Sequence, residues 1–130
     1  MQVRLGWEAK VTTNGFTGVV TGQNFVSSGK SSYCLMPPAV ENKFMPVEWV
    51  ETEYVAQGSD VKRGEMVDVK FKFNLGDSVV NRVNKFKGKI TAQYIFLSGG
   101  IRYEVDPGVD EDGNIRKVGY FTEAELQLSK

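Results

Sequence analysis

The sequence predicts an all-β chain of two small, strongly bent β-barrels in tandem, related by internal duplication. Three observations carry that expectation. The first is a repeat. Sliding the chain by 70 positions without a gap lays Leu5-Gly6 on Leu75-Gly76, Asn14 on Asn84, Phe16 on Phe86 and Gly18 on Gly88. Thr21 then meets Thr91, Gln23 meets Gln93, Ser28-Gly29 meets Ser98-Gly99, Tyr33 meets Tyr103 and Pro37 meets Pro107. After a one-residue insertion Trp49 meets Tyr120 and Val55 meets Leu126. Glycines, aromatics and a proline kept in one order over half the chain are what a tandem duplication leaves. The second observation is alternation of apolar and polar residues at period two, the signature of half-buried strands. The third is that helical periodicity is confined to two short acidic turns, which disfavours α-bundles and parallel α/β folds.

Taken in order, the first copy places strands at Val3–Leu5, Ala9–Val11, Val19–Val26, Tyr33–Leu35 and Val47–Trp49. In the second copy Val67, Val69, Phe71 and Phe73 alternate with Asp68, Lys70 and Lys72, which predicts a strand. Gly76-Asp77 makes a turn, Val79 to Val83 continues extended, and Ile90 to Leu97 is the longest β-rich run. Ser98-Gly99-Gly100 closes a hairpin onto the alternating Ile101, Tyr103 and Val105. Pro107-Gly108 and Asp112-Gly113 punctuate a polar loop, and Val118 with Tyr120 marks a last short strand. Thr122-Glu123-Ala124-Glu125 then carries a capping box for one helical turn. The barrels are assigned to residues 1–57 and 66–130, with 58–65 as a polar linker too short to hold them apart. Units this small bury little core alone and are expected to pack on each other.

Composition narrows the chemistry. The 130 residues carry 16 Lys+Arg against 16 Asp+Glu, so no net field draws the chain to nucleic acid or membrane. No apolar run is long enough for a transmembrane helix, and Met1-Gln2-Val3-Arg4 lacks the apolar core of a signal peptide. The single cysteine, Cys34, fits a reducing compartment and excludes an internal disulfide or a multi-cysteine zinc site. The expected location is the cytoplasm. With no histidine, His-based triads and the commonest zinc ligand are absent. No catalytic residue, cofactor or metal is expected.

Leu75-Gly76-Asp77-x-Val79 followed by Phe86-x-Gly88-Lys89-Ile90 resembles an SH3-like barrel of the KOW type. The first copy keeps Phe16-x-Gly18-Val19-Val20 but has Trp7 where the Asp belongs. The longer pattern resembles small bacteriophage and prophage proteins with tandem barrels of this kind. That resemblance implies a fold and a phage origin, with a host or phage protein as partner. KOW units also contact RNA and ribosomes.

Arg82, Lys85, Lys87 and Lys89 crowd one segment around Phe86, a pattern able to track a phosphate backbone. Neither half is basic overall, and Phe16 repeats Phe86 without the lysines, so Phe86 reads as core. Asp110-Glu111-Asp112-Gly113-Asn114 fails the EF-hand spacing and reads as a turn. Cys34 lacks a base and faces outward or toward the other barrel. Matched aromatics (Phe16/Phe86, Tyr33/Tyr103, Trp49/Tyr120) are assigned to the shared core. Trp7, Phe44 and Tyr94 align with polar residues, so they are assigned to the seam between barrels or to a partner surface. The sequence thus points to a non-enzymatic protein-binding adaptor or inhibitor. The alternatives are a nucleic-acid or ribosome-associated KOW-like module and a small-ligand sponge with a pocket between the barrels.

Overall fold

The computed structural model describes residues 2–37, 41, 47–55 and 67–129. The described residues form strands and short turns, with no α-helix among them. The strands are β1 (Gln2–Val3), β2 (Glu8–Lys10), β3 (Thr17–Val26), β4 (Ser31–Met36), β5 (Glu48–Glu51), β6 (Val67–Asp68), β7 (Ser78–Asn81), β8 (Lys87–Phe96), β9 (Ile101–Asp106), β10 (Gly119–Thr122) and β11 (Leu126–Leu128). One antiparallel sheet runs in the order β10-β9-β8-β3-β4-β5, with β2 added to β3, β7 to β8 and β11 to β7. A separate ribbon pairs β1 with β6.

Pairings in the first half recur in the second, with residue numbers shifted as in the sequence repeat. Glu8 opposes Val19 as Ser78 opposes Lys89. Val20 opposes Leu35 as Ile90 opposes Val105, and each long strand is bulged at the same place, between Val20 and Gly22 and between Ile90 and Ala92. Cys34 opposes Trp49 as Glu104 opposes Tyr120. The long strands also pair with each other, Gly22 to Phe96, Asn24 to Tyr94 and Val26 to Ala92. This register maps onto itself when each residue is exchanged for its counterpart, so a local two-fold passes through Asn24 and Tyr94.

Strand length explains the junction. Each long strand has 10 residues. Thr17–Val19 of β3 meets β2, whereas Gly22–Val26 meets β8 on that same side. The halves therefore share one sheet. The predicted linker, 58–65, lies outside the described residues.

Two apolar clusters lie against this sheet. The first gathers Leu5, Trp7, Ala9, Val11, Val20, Tyr33, Leu35 and Val55 with Val69 and Ile95; the second gathers Phe73, Val79, Ile90, Tyr103, Val105 and Leu126. Phe71 packs against both. The alternation predicted over 67–73 is present in burial, since Val69 and Phe73 are buried and Lys70 and Lys72 exposed, but the ladder stops at Asp68. Side chains satisfy the backbone instead. Lys72 N donates to Glu123 Oε2 (3.1 Å), Phe73 N to the Tyr103 hydroxyl (3.3 Å), and Gln93 Nε2 to Phe73 O (2.8 Å). These bonds hold the segment across both clusters without a neighbouring strand. The capping box at Thr122 is present, its hydroxyl 2.7 Å from Glu125 Oε1, and leads into a single 3₁₀ turn.

Two aromatic assignments change, and a third is narrowed to one of its alternatives, the seam. Trp49 and Tyr120, expected in the shared core, are 44% and 56% exposed. Val50 and Phe121 pack against the clusters, and successive strand residues face opposite ways, so Trp49 and Tyr120 must point outward. Trp7, expected at a seam or partner surface, is 7% exposed and belongs to the first cluster, with the Arg4 guanidinium 5.1 Å over its ring. A partner meets almost none of it.

Candidate functional site

The outward face of the sheet carries a cluster of aromatic side chains. Three cross-strand rows compose the face: Trp49–Cys34–Gly22–Phe96, Glu51–Ser32–Asn24–Tyr94–Arg102–Thr122, and Val26–Ala92–Glu104–Tyr120. Trp49 stands nearly perpendicular to Tyr94 (5.7 Å between ring centres, 83°) and to Phe96 (6.3 Å, 81°). Tyr94 and Phe96 are parallel at 6.3 Å, and Tyr120 meets Tyr94 at 6.0 Å and 66°. Three strands thus bring four rings together about the local two-fold. A Cβ on Gly22 would lie 2.9 Å from the Phe96 ring and 3.3 Å from Cys34 Cβ, so the missing side chain is what lets Phe96 settle there.

The bulge between Ile90 and Ala92 puts the two β8 rings, Tyr94 and Phe96, on this face. Ile90 faces the core before it, and Ile95 faces the core after it. Strict alternation from Ile90 would have buried Tyr94 and Phe96. One extra residue reverses the parity and sends them out.

Glu104 supplies the local charge. Its Oε1 accepts the Thr91 hydroxyl at 2.8 Å, and no ion pair engages it among the described residues. Burial, followed by hydrogen bonding and charge from Glu104, pushes the Tyr120 hydroxyl up to about 12. Tyr94 is also raised, by burial first and then by the Glu104 charge. Within the second core Tyr103, whose hydroxyl donates to Glu123, is raised by burial and then by that bond. A tyrosine raised in the folded state above its unfolded value of about 10 favours folding fully below that pH. Its contribution is lost as pH rises through the folded value. Thermal stability is therefore expected to hold up to about pH 10 and fall toward pH 12 and beyond. Tyrosinate absorbance should lag behind that of the unfolded chain; coincident titrations would contradict these shifts.

A second feature lies in the second half. A cleft of about 910 Å³ is lined by Lys85, Lys87, Lys89 and Arg116 over Val79, Phe86, Gly88 and Pro107. The structure so gathers three of the four basic residues singled out from sequence. Arg82 does not line the cleft; its carbonyl accepts Lys85 Nζ at 3.2 Å. Arg116 was not foreseen, because it arrives from the loop after β9, and its Nη2 donates to Pro107 O (2.6 Å) and Val109 O (3.2 Å). Lys85 sits at φ 66°, where the first half has Gly15 at φ 73°. A lysine in left-handed backbone is strained, so Lys85→Gly is expected to stabilise the fold by about 0.5–1 kcal/mol in urea denaturation. Unchanged or lower stability would show that the lysine carries a compensating contact.

Of the other candidates, Phe44 lies outside the described residues. Cys34 is outward in register yet buried, between Trp49 and Gly22 in its row. Asp110 Oδ1 accepts the amides of Asp112 and Asn114, both at 2.9 Å, and the Asn114 bond chiefly holds its carboxyl below the usual range. That is turn chemistry. No helix among the described residues is long and apolar enough to cross a membrane. No protein-family model, curated protein or solved structure matches the chain.

Proposed function

We propose that the chain is a non-enzymatic protein-binding adaptor or inhibitor, phage-encoded and cytoplasmic, built from two SH3-like barrel units that arose by duplication. The repeated register and repeated bulge support the duplication. The carrying observation for function is the cluster of Trp49, Tyr94, Phe96 and Tyr120 on the shared sheet face, in which Trp49 and Tyr120 are about half exposed and Tyr94 and Phe96 partly buried. Aromatic rings left open on a rigid sheet suit protein contact, because they offer large contact area at small entropic cost. Paired Trp49→Ser and Tyr120→Ser substitutions should leave thermal stability nearly unchanged, since both side chains are exposed. They should also abolish capture of whatever host protein the unaltered chain retains. Retention of that protein by the double variant would overturn the reading.

The second reading, nucleic-acid or ribosome contact by a KOW-like unit, is favoured by the Lys85–Lys87–Lys89 cleft. It requires binding that falls steeply with salt and is lost in Lys85→Glu with Lys87→Glu. The small-ligand alternative imagined a pocket between barrels, whereas this cleft lies wholly in the second half.

A further inference from the structure

We propose that the aromatic sheet face recognises an arginine side chain of its protein partner, held against the rings with its guanidinium directed to Glu104. The inference rests on the protein-binding reading above and specifies its partner. Two observations meet at this place. Trp49 and Tyr120 stand at steep angles to Tyr94 and are 44% and 56% exposed, so ring faces are presented in more than one direction. Such faces attract cations. Beside Tyr120 in the same row, Glu104 brings a carboxylate with no ion-pair partner among the described residues.

Among the described residues, no cation is paired with these rings or with Glu104. The cation–ring contacts among the described residues are Arg4 with Trp7 and Lys72 with Phe73. Arg102 shares the row of Tyr94, but it lies next to Thr122, and its charge acts on Glu125. Lys30 pairs with Glu51 at 3.6 Å. Among the described residues the face thus presents rings and a carboxylate with no cation paired to either. Arginine fits better than lysine, because its planar, weakly hydrated guanidinium stacks on rings while forking to a carboxylate.

The test is an NMR titration of the full chain with the N-acetyl amides of arginine, lysine and citrulline, the last matching arginine in shape without its charge. Arginine should shift the Trp49, Tyr94 and Tyr120 side-chain signals, and citrulline should bind about three- to tenfold more weakly. Lysine should fall between them. Glu104→Gln should reduce the preference for arginine over citrulline, and Trp49→Leu, which keeps apolar bulk without an indole face, should weaken arginine binding. Equal binding of arginine and citrulline, or no shift at these rings with any of the three, overturns the inference. The protein-binding reading fails separately, if the Trp49→Ser, Tyr120→Ser chain still captures the partner.

Discussion

Gly88→Ala is expected to destabilise the protein by about 3 kcal/mol or more, enough to unfold a marginal domain. A Cβ at Gly88 would stand 2.4 Å from the Asp106 carbonyl oxygen and 2.7 Å from its carbon. Both are backbone atoms of the neighbouring strand, so no rotamer change relieves the overlap. β8 and β9 must part where Lys89 opposes Asp106, at the edge of the second core. The counterpart Gly18→Ala meets Met36 O at 2.8 Å and should cost less. Urea denaturation of the two variants checks the order. Equal stability of Gly88→Ala and the unaltered chain would mean that the strands do not approach this closely.

Trp7→Ala is expected to cost about 3–5 kcal/mol, the range for truncating a buried large aromatic. Trp7 contributes to the cluster that also holds Val69 and Ile95 from the second half. The loss should therefore loosen the joint as well as the first half. Hydrogen exchange should speed up at Ile95 in this variant; protection unchanged there would mean that the two halves are stabilised independently. Trp49→Ala should behave oppositely, with little change in stability and loss of binding. The two tryptophans separate core from surface.

The longer strands could be read from the sequence because two similar patterns reinforce each other, whereas the ladder expected over 67–73 stops at Asp68 and β11 had no counterpart among the expected strands. The alternations at Ile101–Val105, the turns at Gly76 and Gly99 and the capping box at Thr122 each rest on local chemistry. Side-chain direction was less accessible. A bulge has no strong residue signature, and one extra residue between Ile90 and Ala92 decides whether Tyr94 and Phe96 are core or surface. The matched pair Trp49/Tyr120 was assigned to the core because both positions are aromatic, yet repetition marks a shared role without saying which face it occupies. Trp7 was assigned to the seam or to a partner surface because Asp77 is polar, and it is buried in a cluster that includes Val69 and Ile95 of the second half. There the first half fills with an indole what the second half leaves to a turn, in which Asp77 Oδ2 accepts Asn74 N at 2.8 Å. The pairing of β3 with β8 was not readable at all, since each strand's second edge carries no sequence mark of its partner.

Hydroxyl-radical footprinting of the chain, free and bound to the protein it captures, tests the central claim most directly. Modification of Trp49 and Tyr120 should be strong in the free chain and fall on binding, while Phe86 in the lysine-lined cleft should stay unchanged. Protection of Phe86 with Trp49 and Tyr120 still open to radicals would contradict the account and place the functional surface in the basic cleft.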